Sequence, residues 1–331
     1  MQKIDFVLTW VDPSDKKWQK EKEKYLKLNT SDTIDVSEIR YRDWDTLKYL
    51  FRSIEKNAPW VNRVHFITNG TIPSWLNTNN PKINIVKHSD YMPSDSLPTF
   101  NSNAIEIGIH KIKGLEEKFV LFNDDMFLLK KTKDTDFFKH NLPCNSMSIQ
   151  PVIPFPNNDF YKVITNDVEV INKNFDYKEC KKKNWYKYLS IKQGKYLFKT
   201  YPFMIYNKFP GFSNFHLPNA FLKSTFKEVW NKEKELLNKT VYSKFRDNHR
   251  NLTQWLFLYW QFAKGDFIQK CYKFGKCIKV DDNKLLDIIK KKKYHVICLL
   301  ESDKVKNFNK RTMEIIESLE RIFPEKSSFE R

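Results

Sequence analysis

The chain has 331 residues, 15% of them aromatic and only 7 of them glycine, which excludes a linker-rich or disordered protein and allows a large buried core. Lys and Arg outnumber Asp and Glu by 58 to 40, so the net charge is +18. This charge favours an anionic partner, such as a nucleotide, a phosphorylated sugar or an acidic membrane face. The lysine runs at 181–183 and 290–293 could equally be solvated surface.

The cysteines and the apolar segments indicate a cellular location. Five cysteines form no CxxC pair, so we expect neither a disulfide framework nor a zinc site, and we expect a reducing compartment. Met1-Gln-Lys leads straight into an apolar segment, and no apolar run approaches the length of a membrane span. We therefore expect a cytoplasmic protein with at most peripheral contact at the inner face of the plasma membrane. The oligomeric state stays open.

Apolar and polar residues alternate in blocks through the first 90 residues. Short apolar segments that end in polar turns predict three strands, at Ile4–Trp10, Val64–Thr68 and Ile83–Val86. Two segments have the spacing of helices, Trp18–Lys27 and Trp44–Asn57. Strands alternating with helices in this way are typical of an α/β fold.

Apolar residues at helical spacing predict a further helix from about Asn103 to Gly114. Glu106 lies three positions after Asn103, which fits an ordinary capping box at the start of that helix. The same position also fits a carboxylate that the first helical turn presents to a ligand. The residues alone leave both interpretations open.

The segment Lys118–Leu129, KFVLFNDDMFLL, has the strongest pattern in the chain. Phe119–Phe122 predicts a buried strand, and a second apolar run begins at Met126. Asp124 and Asp125 lie between the two runs, where adjacent carboxylates are costly unless they face a cleft, a cation or water. They are either an acidic turn or the ligands of a divalent cation beside a nucleotide diphosphate.

The order of these elements predicts a Rossmann-like α/β fold, with a mostly parallel sheet, flanking helices and an added C-terminal helical region. A polar cluster follows each predicted strand: TWVD, TNG, KHSD and NDD. The carboxyl ends of strands line the ligand crevice of open α/β sheets, so these clusters predict a nucleotide-type site. We assign residues 1–135 to this nucleotide-sugar-binding core.

The pattern changes after residue 135. Residues 136–210 mix aromatic, proline-bearing and basic segments and are interpreted as a variable insertion that could contact an acceptor. Residues 211–331 are interpreted as a helical part that completes the active site. Helical spacing there predicts four helices, at Phe221–Leu237, Leu252–Ala263, 283–293 and 310–322.

Two residues in this last part are compatible with either a structural or a chemical role. His216, in an aromatic segment with Pro and Gly, is either a structural histidine or a general base. Arg246 either pairs with its neighbour Asp247 or binds a phosphate through its guanidinium fork. The residues alone therefore indicate a cation-assisted, nucleotide-using α/β enzyme.

Four blocks, taken together and in order, resemble the Stealth family of sugar-phosphate transferases, which make bacterial capsules and surface polysaccharides. The blocks are Ile4–Asp15, Arg40–Leu129, Phe212–Trp230 and Phe245–Trp260. The resemblance implies transfer of a hexose-1-phosphate, such as an N-acetylhexosamine-1-phosphate, from a UDP-sugar to a hydroxyl of a saccharide or lipid-linked saccharide. It also implies that UMP is released and that a divalent cation, Mg²⁺ or Mn²⁺, takes part.

The resemblance also implies roles for individual residues. Asp124 and Asp125 would hold the cation, Arg246 would bind the phosphates, and His216 would be the base, with Glu106 as its rival. The family's essential positions correspond to Glu106, Asp125, His216 and Arg246. The residues implied in donor binding are Thr9, Trp10, Asp12, Arg40, Asn69 and Ser102.

Two other functions compete with this hypothesis. An ordinary UDP-sugar-dependent glycosyltransferase would use the same crevice but would release UDP. A lectin-like or nucleic-acid-binding module would exploit the positive charge. The acidic Asn123–Asp125 cluster disfavours that module, since it would repel phosphate without a cation, and no base-stacking motif is present. We therefore expect no nucleic-acid partner.

Overall fold

The computed structural model describes residues 2–28, 34–35, 42–154 and 159–331. The strands among these residues are β1 (Asp5–Thr9), β2 (Ile34–Asp35), β3 (Val64–Thr68), β4 (Ile83–Lys87), β5 (Lys118–Asn123), β6 (Met126–Leu128), β7 (Phe138–Lys139), β8 (Leu142–Asn145), β9 (Asn219–Leu222), β10 (Arg246–Asp247), β11 (Ile268–Gln269), β12 (Gly275–Lys279) and β13 (Val296–Leu300). The helices are α1 (Lys16–Leu28), α2 (Leu47–Asn57), α3 (Ser102–Ile107), α4 (Asp159–Asn174), α5 (Tyr177–Tyr188), α6 (Tyr196–Thr200), α7 (Lys223–Val241), α8 (Gln254–Lys264), α9 (Leu285–Lys290) and α10 (Phe308–Ile322).

The central sheet has the strand order β4-β3-β1-β5-β9. The first four strands are parallel, and β9 pairs antiparallel with β5 at the edge. The predicted mostly parallel α/β sheet with flanking helices is therefore confirmed. Strand β9 lies within residues 211–331, which the sequence predicts to be a helical part.

Both faces of the central sheet are buried. In β1, Phe6 and Leu8 point into one apolar cluster and Val7 into another, as alternation along a strand requires. Helices α2 and α10 supply much of the first cluster, and α7 and α8 supply much of the second. Burial on both sides explains why the strands are continuous apolar runs.

A second sheet, with the order β12-β13-β6, meets the central one at the acidic turn. Strand β5 ends at Asn123 and β6 begins at Met126, so Asp124 and Asp125 connect two sheets instead of two strands of one hairpin. Beyond residue 211 the chain thus contributes strands β9, β12 and β13 as well as helices α7 to α10. The division of the chain at residues 135 and 210 stays a prediction.

The predicted helix from Asn103 to Gly114 is wrong in its length. Helix α3 ends at Ile107, and a single 3-10 turn follows at Ile109–Lys111. The Tyr91 hydroxyl donates to the Ile105 carbonyl at 3.0 Å, and the Tyr91 ring packs against Gly108. The Ile105 carbonyl, which would accept the next hydrogen bond of a longer α-helix, is therefore occupied by the Tyr91 hydroxyl.

Of the two interpretations that the sequence leaves open for Glu106, the capping box with Asn103 does not form. Asn101 is the cap of α3, and its side-chain oxygen accepts from the Asn103 backbone N–H at 3.1 Å. Glu106 is instead buried on the helix.

Elsewhere α1, α2, α7, α8 and α10 confirm the predicted helices within a few residues, whereas α9 is shorter than 283–293. Among the described residues, no helix is both long and apolar enough to cross a membrane.

Candidate active site

The predicted polar clusters meet at the carboxyl edge of the central sheet. Thr9, the last residue of β1, lies in register with Asn123 of β5 on one side and Ile67 of β3 on the other. Asn69 follows β3 directly, and Asp124 follows β5 directly. Three adjacent parallel strands therefore end in polar residues at one edge, as the sequence predicts.

The turn after β1 brings an additional carboxylate to this edge. Trp10 is buried, stacks on Phe66 with ring centroids 5.7 Å apart, and makes a side-chain hydrogen bond to the Asp43 carboxylate. Desolvation raises the pKa of Asp43, although the residue itself is exposed, and the charges of Asp45 and then Asp12 add to that shift. The sequence analysis missed Asp43, which follows no predicted strand. Asp43 does lie inside the block Arg40–Leu129 that resembles the Stealth family, and this was the one sequence feature that could have indicated its importance.

Asp12 and Asn69 each order their own turn. The Asp12 Oδ1 atom accepts from the Ser14 N–H at 2.8 Å and from the Ser14 hydroxyl at 2.6 Å. The Asn69 Oδ1 atom accepts from the Thr71 N–H at 3.3 Å. Such side-chain turns hold loops in one conformation. Arg40, the remaining predicted donor-binding residue of the N-terminal part, lies outside the described residues.

The acidic turn concentrates negative charge. Desolvation by the surrounding atoms raises the pKa of Asp124 to about 8, although the residue itself is exposed, and the charges of Asp125 and then Asp43 contribute to the shift. Desolvation also raises the pKa of Asp125, and the neighbouring His216 opposes that rise. Neighbouring carboxylates repel each other when all of them are ionised. A cation bound among them offsets this repulsion and stabilises the ionised forms.

Strand β9 places His216 beside this turn. Asn219 pairs antiparallel with Leu121, so the residues that precede β9 lie next to those that follow Leu121. The His216 Nε2 atom is 4.0 Å from Asp125 Oδ2 and 3.2 Å from Asn123 Nδ2. The imidazole side chain is 32% exposed, so a ligand can reach it.

The second sheet holds the loop of His216 from the other side. The Cys277 thiol of β12 donates to the His216 carbonyl at 2.8 Å. Strand β12 comes close to this loop at Gly275, where an added Cβ would lie 2.7 Å from Leu217 Cδ1 and 3.2 Å from the Val296 carbonyl oxygen. The close approach of this strand fixes the position of the loop.

The residues around Asp125 fit a divalent cation. One ligating atom each from Asp125, His216 and Cys298 lie within 4.8 Å of one another. Asp125 Oδ1 is buried and has no hydrogen-bond partner among the described residues. A buried, unpaired carboxylate oxygen is costly unless a water molecule or an ion satisfies it. Asp124 and Asp125 are the predicted metal ligands and His216 is the predicted base. The group of three contains Asp125 and His216 but not Asp124, and it adds Cys298, which was not predicted because nothing in the sequence joins β13 to this turn.

Arg246 lies in a second cluster with Ser102 and Glu106. Phe245 stacks on Phe100 with centroids 5.2 Å apart, and the Asn101 side chain donates to the Ser243 carbonyl at 3.1 Å. These contacts join the chain before α3 to the segment of β10. As a result the Arg246 guanidinium donates to the Ser102 hydroxyl at 2.6 Å.

Glu106 is the buried member of this second cluster. Its burial raises its pKa to about 7, while the charge of Arg246 and a hydrogen bond from Gln254 oppose the rise. Gln254 begins α8, and the next residue, Trp255, has its ring centroid 6.5 Å from that of His216. The first residues of α8 therefore contact both clusters.

This burial predicts that Glu106→Gln stabilises the protein at alkaline pH. A carboxyl group whose pKa is raised on folding, from 4.5 to about 7, stabilises the fold fully below 4.5 and loses that contribution as pH rises through 7. The neutral amide avoids the loss, which amounts to at most about 3 kcal/mol. Urea unfolding should show the variant more stable than wild type near pH 8.5 and not near pH 4.5.

A matched variant at the exposed Glu325 controls for the general effect of charge removal. Glu325→Gln should change the free energy of unfolding little at either pH. Equal stability of Glu106→Gln and wild type near pH 8.5 would mean that Glu106 ionises in the folded state without penalty.

Comparison with known proteins places the chain in a family. Residues 2–30 match the model of Stealth protein conserved region 1, and residues 40–145 match that of conserved region 2. A capsular polysaccharide phosphotransferase of Streptococcus pneumoniae, WcwK, is 42% identical over 334 residues, covering 100% of this chain and 99% of the relative. The chain belongs to the Stealth family.

Other relatives span the chain equally well. The receptor polysaccharide phosphotransferase WefC of Streptococcus oralis is 38% identical over 100% of both chains. The exopolysaccharide phosphotransferase cps2G of Lactiplantibacillus plantarum is 34% identical over 99% of this chain and 96% of its own. Among solved structures, a galactosyltransferase, LgtC, in complex with donor and acceptor sugar analogues covers 95% of each chain at 9% identity and a TM-score of 0.39.

Proposed function

We propose that this Stealth protein transfers a hexose-1-phosphate from a UDP-sugar to a hydroxyl of a saccharide or lipid-linked saccharide acceptor, with release of UMP. The reaction would serve capsule or cell-surface polysaccharide synthesis in the cytoplasm, at the inner face of the plasma membrane. The observation that carries this proposal is the full-length similarity, at 42% identity, to a protein named a capsular polysaccharide phosphotransferase. The geometry at the carboxyl edge of the sheet supports it.

The donor would bind at the polar edge of the central sheet. Thr9, Trp10 and Asp12 follow β1, and Asn69 follows β3, where α/β sheets hold nucleotides. Their turns are held by the side-chain contacts of Asp12 and Asn69, so the edge is ordered before the donor arrives. Arg40 and Ser102 complete the donor-binding set that we propose.

Asp124 and Asp125 would hold the divalent cation, with His216 next to them. Carboxylate oxygens are the ligands that Mg²⁺ and Mn²⁺ prefer, and the buried Oδ1 of Asp125 is without a partner among the described residues. When bound, such a cation would offset the negative charge of the diphosphate and of the departing UMP. Asp43, which raises the pKa of Asp124, would strengthen the attraction.

Arg246 would bind the phosphoryl group that is transferred. A guanidinium group offers paired N–H donors that match phosphate oxygens, and charge grows on those oxygens as the bond to the acceptor forms. Its contact with the Ser102 hydroxyl at 2.6 Å and the nearby Glu106 orient it. We therefore assign Ser102 and Glu106 to the positioning of Arg246.

His216 would accept the proton of the acceptor hydroxyl. In this reaction the acceptor oxygen bonds to the sugar-bearing phosphorus, the bond from that phosphorus to the UMP oxygen breaks, and the hydroxyl proton passes to the imidazole. The exposed fraction of 32% makes His216 accessible to an acceptor, whereas Glu106 is buried with 7% exposure. This difference favours His216 over Glu106 as the base.

The nucleotide product tests the proposal directly. The protein is incubated with Mg²⁺ or Mn²⁺, a panel of UDP-sugars and a capsular oligosaccharide acceptor, and the nucleotides are separated by chromatography. We expect UMP as the product and a phosphodiester signal from the saccharide in ³¹P NMR. Release of UDP without a phosphodiester would identify a glycosyltransferase instead, because attack would then occur at the anomeric carbon.

A further inference from the structure

Exposed apolar side chains are concentrated in one short segment. Of the twelve large apolar residues that are exposed in the described part of the chain, seven lie between Trp185 and Tyr206. Ile191, Phe198 and Ile205 are the most exposed of them, at 86%, 82% and 83%. We call residues 185–206 the platform. Leaving this much apolar surface in water is typical of an interaction site.

The platform is fixed to the protein by buried hydrogen bonds. The Thr200 hydroxyl donates to the Gln193 side chain at 2.9 Å and accepts from the Ile149 N–H at 3.1 Å. Gln193 in turn donates to the Tyr188 carbonyl at 2.6 Å. The Lys181 ammonium donates to the Met204 carbonyl at 2.7 Å. The exposed side chains therefore project from an ordered base.

The exposed residues follow helical spacing. Helix α6 continues into a 3-10 turn at Tyr201–Ile205, and Phe198, Tyr201 and Ile205 are separated by three and four positions. Residues at this spacing lie on one face of a helical segment. Thr200, between them, is fully buried on the opposite side. The segment therefore presents apolar side chains to solvent, while Phe203 and Met204 of the same segment pack against the core.

The platform is also strongly basic. It contains four lysines and no acidic residue, and the preceding residues 177–184 add four more lysines and one acidic residue, Glu179. Lys192, Lys195 and Lys199 are exposed among the apolar side chains. Lysines that surround exposed aliphatic and aromatic groups fit a partner that is apolar inside and negatively charged at its surface.

We propose that the platform docks the protein onto an anionic lipid bilayer. Phe198, Ile191 and Ile205 would enter the boundary between headgroups and acyl chains, the rings of Trp185 and Tyr201 would lie at headgroup level, and the lysines would contact anionic headgroups. A nucleic acid would use the lysines but would leave the aliphatic side chains exposed. A bilayer satisfies both sets of side chains.

The platform is connected to the candidate active site. Tyr196 of α6 packs edge-on against Phe215 with ring centroids 4.9 Å apart, and Phe215 directly precedes His216. A protein docked through the platform would therefore present the loop of His216 near the membrane surface. This inference extends the membrane location that we propose for the function, but its test does not depend on catalysis.

Vesicle sedimentation tests the proposal with the whole chain. We expect wild type to bind vesicles of phosphatidylcholine with about one third phosphatidylglycerol, to bind pure phosphatidylcholine far less, and to dissociate at high salt. The double variant Phe198→Ser, Ile205→Ser should bind the anionic vesicles about tenfold or more weakly. Met313→Ser removes an apolar side chain of 61% exposure elsewhere and should bind like wild type.

A second pair of variants tests the charge. Lys192→Gln, Lys195→Gln and Lys199→Gln together should reduce binding to the anionic vesicles by about a hundredfold. The control has the same loss of charge at exposed lysines near α9: Lys284→Gln, Lys290→Gln and Lys293→Gln. This control variant should lose much less of its binding to the anionic vesicles. Circular dichroism and thermal melting verify that all variants fold.

Three results would overturn the proposal. One is equal binding of wild type to neutral and anionic vesicles, and another is equal loss of binding in the platform and control lysine variants. The third is a wild-type dimer in light scattering that Phe198→Ser with Ile205→Ser converts to a monomer while vesicle binding persists. That outcome would make the platform an interface between two copies of the chain.

Discussion

Replacing Asp125 by Asn is expected to remove divalent-cation binding and to lower turnover about a thousandfold or more. The carboxylate has a buried oxygen that lacks a partner among the described residues, and its other oxygen lies 4.0 Å from His216 Nε2. The amide keeps the shape but removes the charge that would hold the ion. Manganese binding, followed by electron paramagnetic resonance or calorimetry, and turnover of the UDP-sugar measure the two losses separately.

The control for this variant is Asp287→Asn on α9, where the carboxylate is 56% exposed and forms only a surface pair with Lys291. It should bind Mn²⁺ and turn over like wild type. Chelation of wild type with EDTA should abolish turnover, and Mg²⁺ or Mn²⁺ should restore it. Full turnover in excess EDTA would remove the cation from the proposed mechanism.

Cation binding should also release protons at neutral pH. Because the pKa of Asp124 is raised to about 8, part of that carboxyl group is protonated at pH 7 before the ion arrives. A bound cation requires the carboxylate form, so affinity should rise with pH. This behaviour follows from the same crowding of Asp43, Asp124 and Asp125 that attracts the ion.

The predictable part of the site is the part that local sequence determines. An apolar run that ends in Asn123-Asp124-Asp125 indicates a strand and the polar residues at its carboxyl end without any knowledge of distant contacts. The same holds for Thr9 at the end of β1 and Asn69 after β3. Parallel order then places these ends along one edge, which is why this polar edge could be predicted.

The remaining part depends on pairings that the sequence does not encode locally. His216 reaches Asp125 because β9 pairs antiparallel with β5, and Cys298 reaches it because β13 pairs with β6. The basic stretch 283–293 was interpreted as a helix, and the apolar strand β13 that follows was missed. Asp43 was missed because its contact with Trp10 joins a loop to a strand end.

The interpretation of Glu106 also depended on a contact that only the fold reveals. Position three after Asn103 suggested a capping box, but the cap is Asn101, which the segment around Ser243 holds in place. That segment lies some 140 residues away, as the hydrogen bond from Asn101 Nδ2 to the Ser243 carbonyl spans 142 positions. The family resemblance predicts that Glu106 is essential, and the burial of Glu106 beside Arg246 is compatible with that prediction.

Replacing His216 by Asn is expected to lower turnover by about 10²–10⁴-fold while leaving UDP-sugar binding nearly intact. The imidazole is 32% exposed beside the acidic turn, and its loss removes the proposed proton acceptor without removing the donor-binding edge. Single-turnover kinetics and donor binding by calorimetry measure the two effects. His140→Asn, at an exposed histidine of the β7–β8 hairpin, should behave like wild type.

The pH profile of the same variants separates His216 from Glu106. Wild-type turnover should fall at acid pH, since a protonated base accepts no proton. The position of that fall cannot identify the base alone, because the pKa of Glu106 is raised to about 7, into the range of an ordinary histidine. If His216 is the base, His216→Asn loses the acid limb, and Glu106→Gln retains it with a lower rate, because Arg246 is less well positioned. If Glu106→Gln loses the limb and His216→Asn retains both limb and rate, Glu106 is the base and the assignment is reversed.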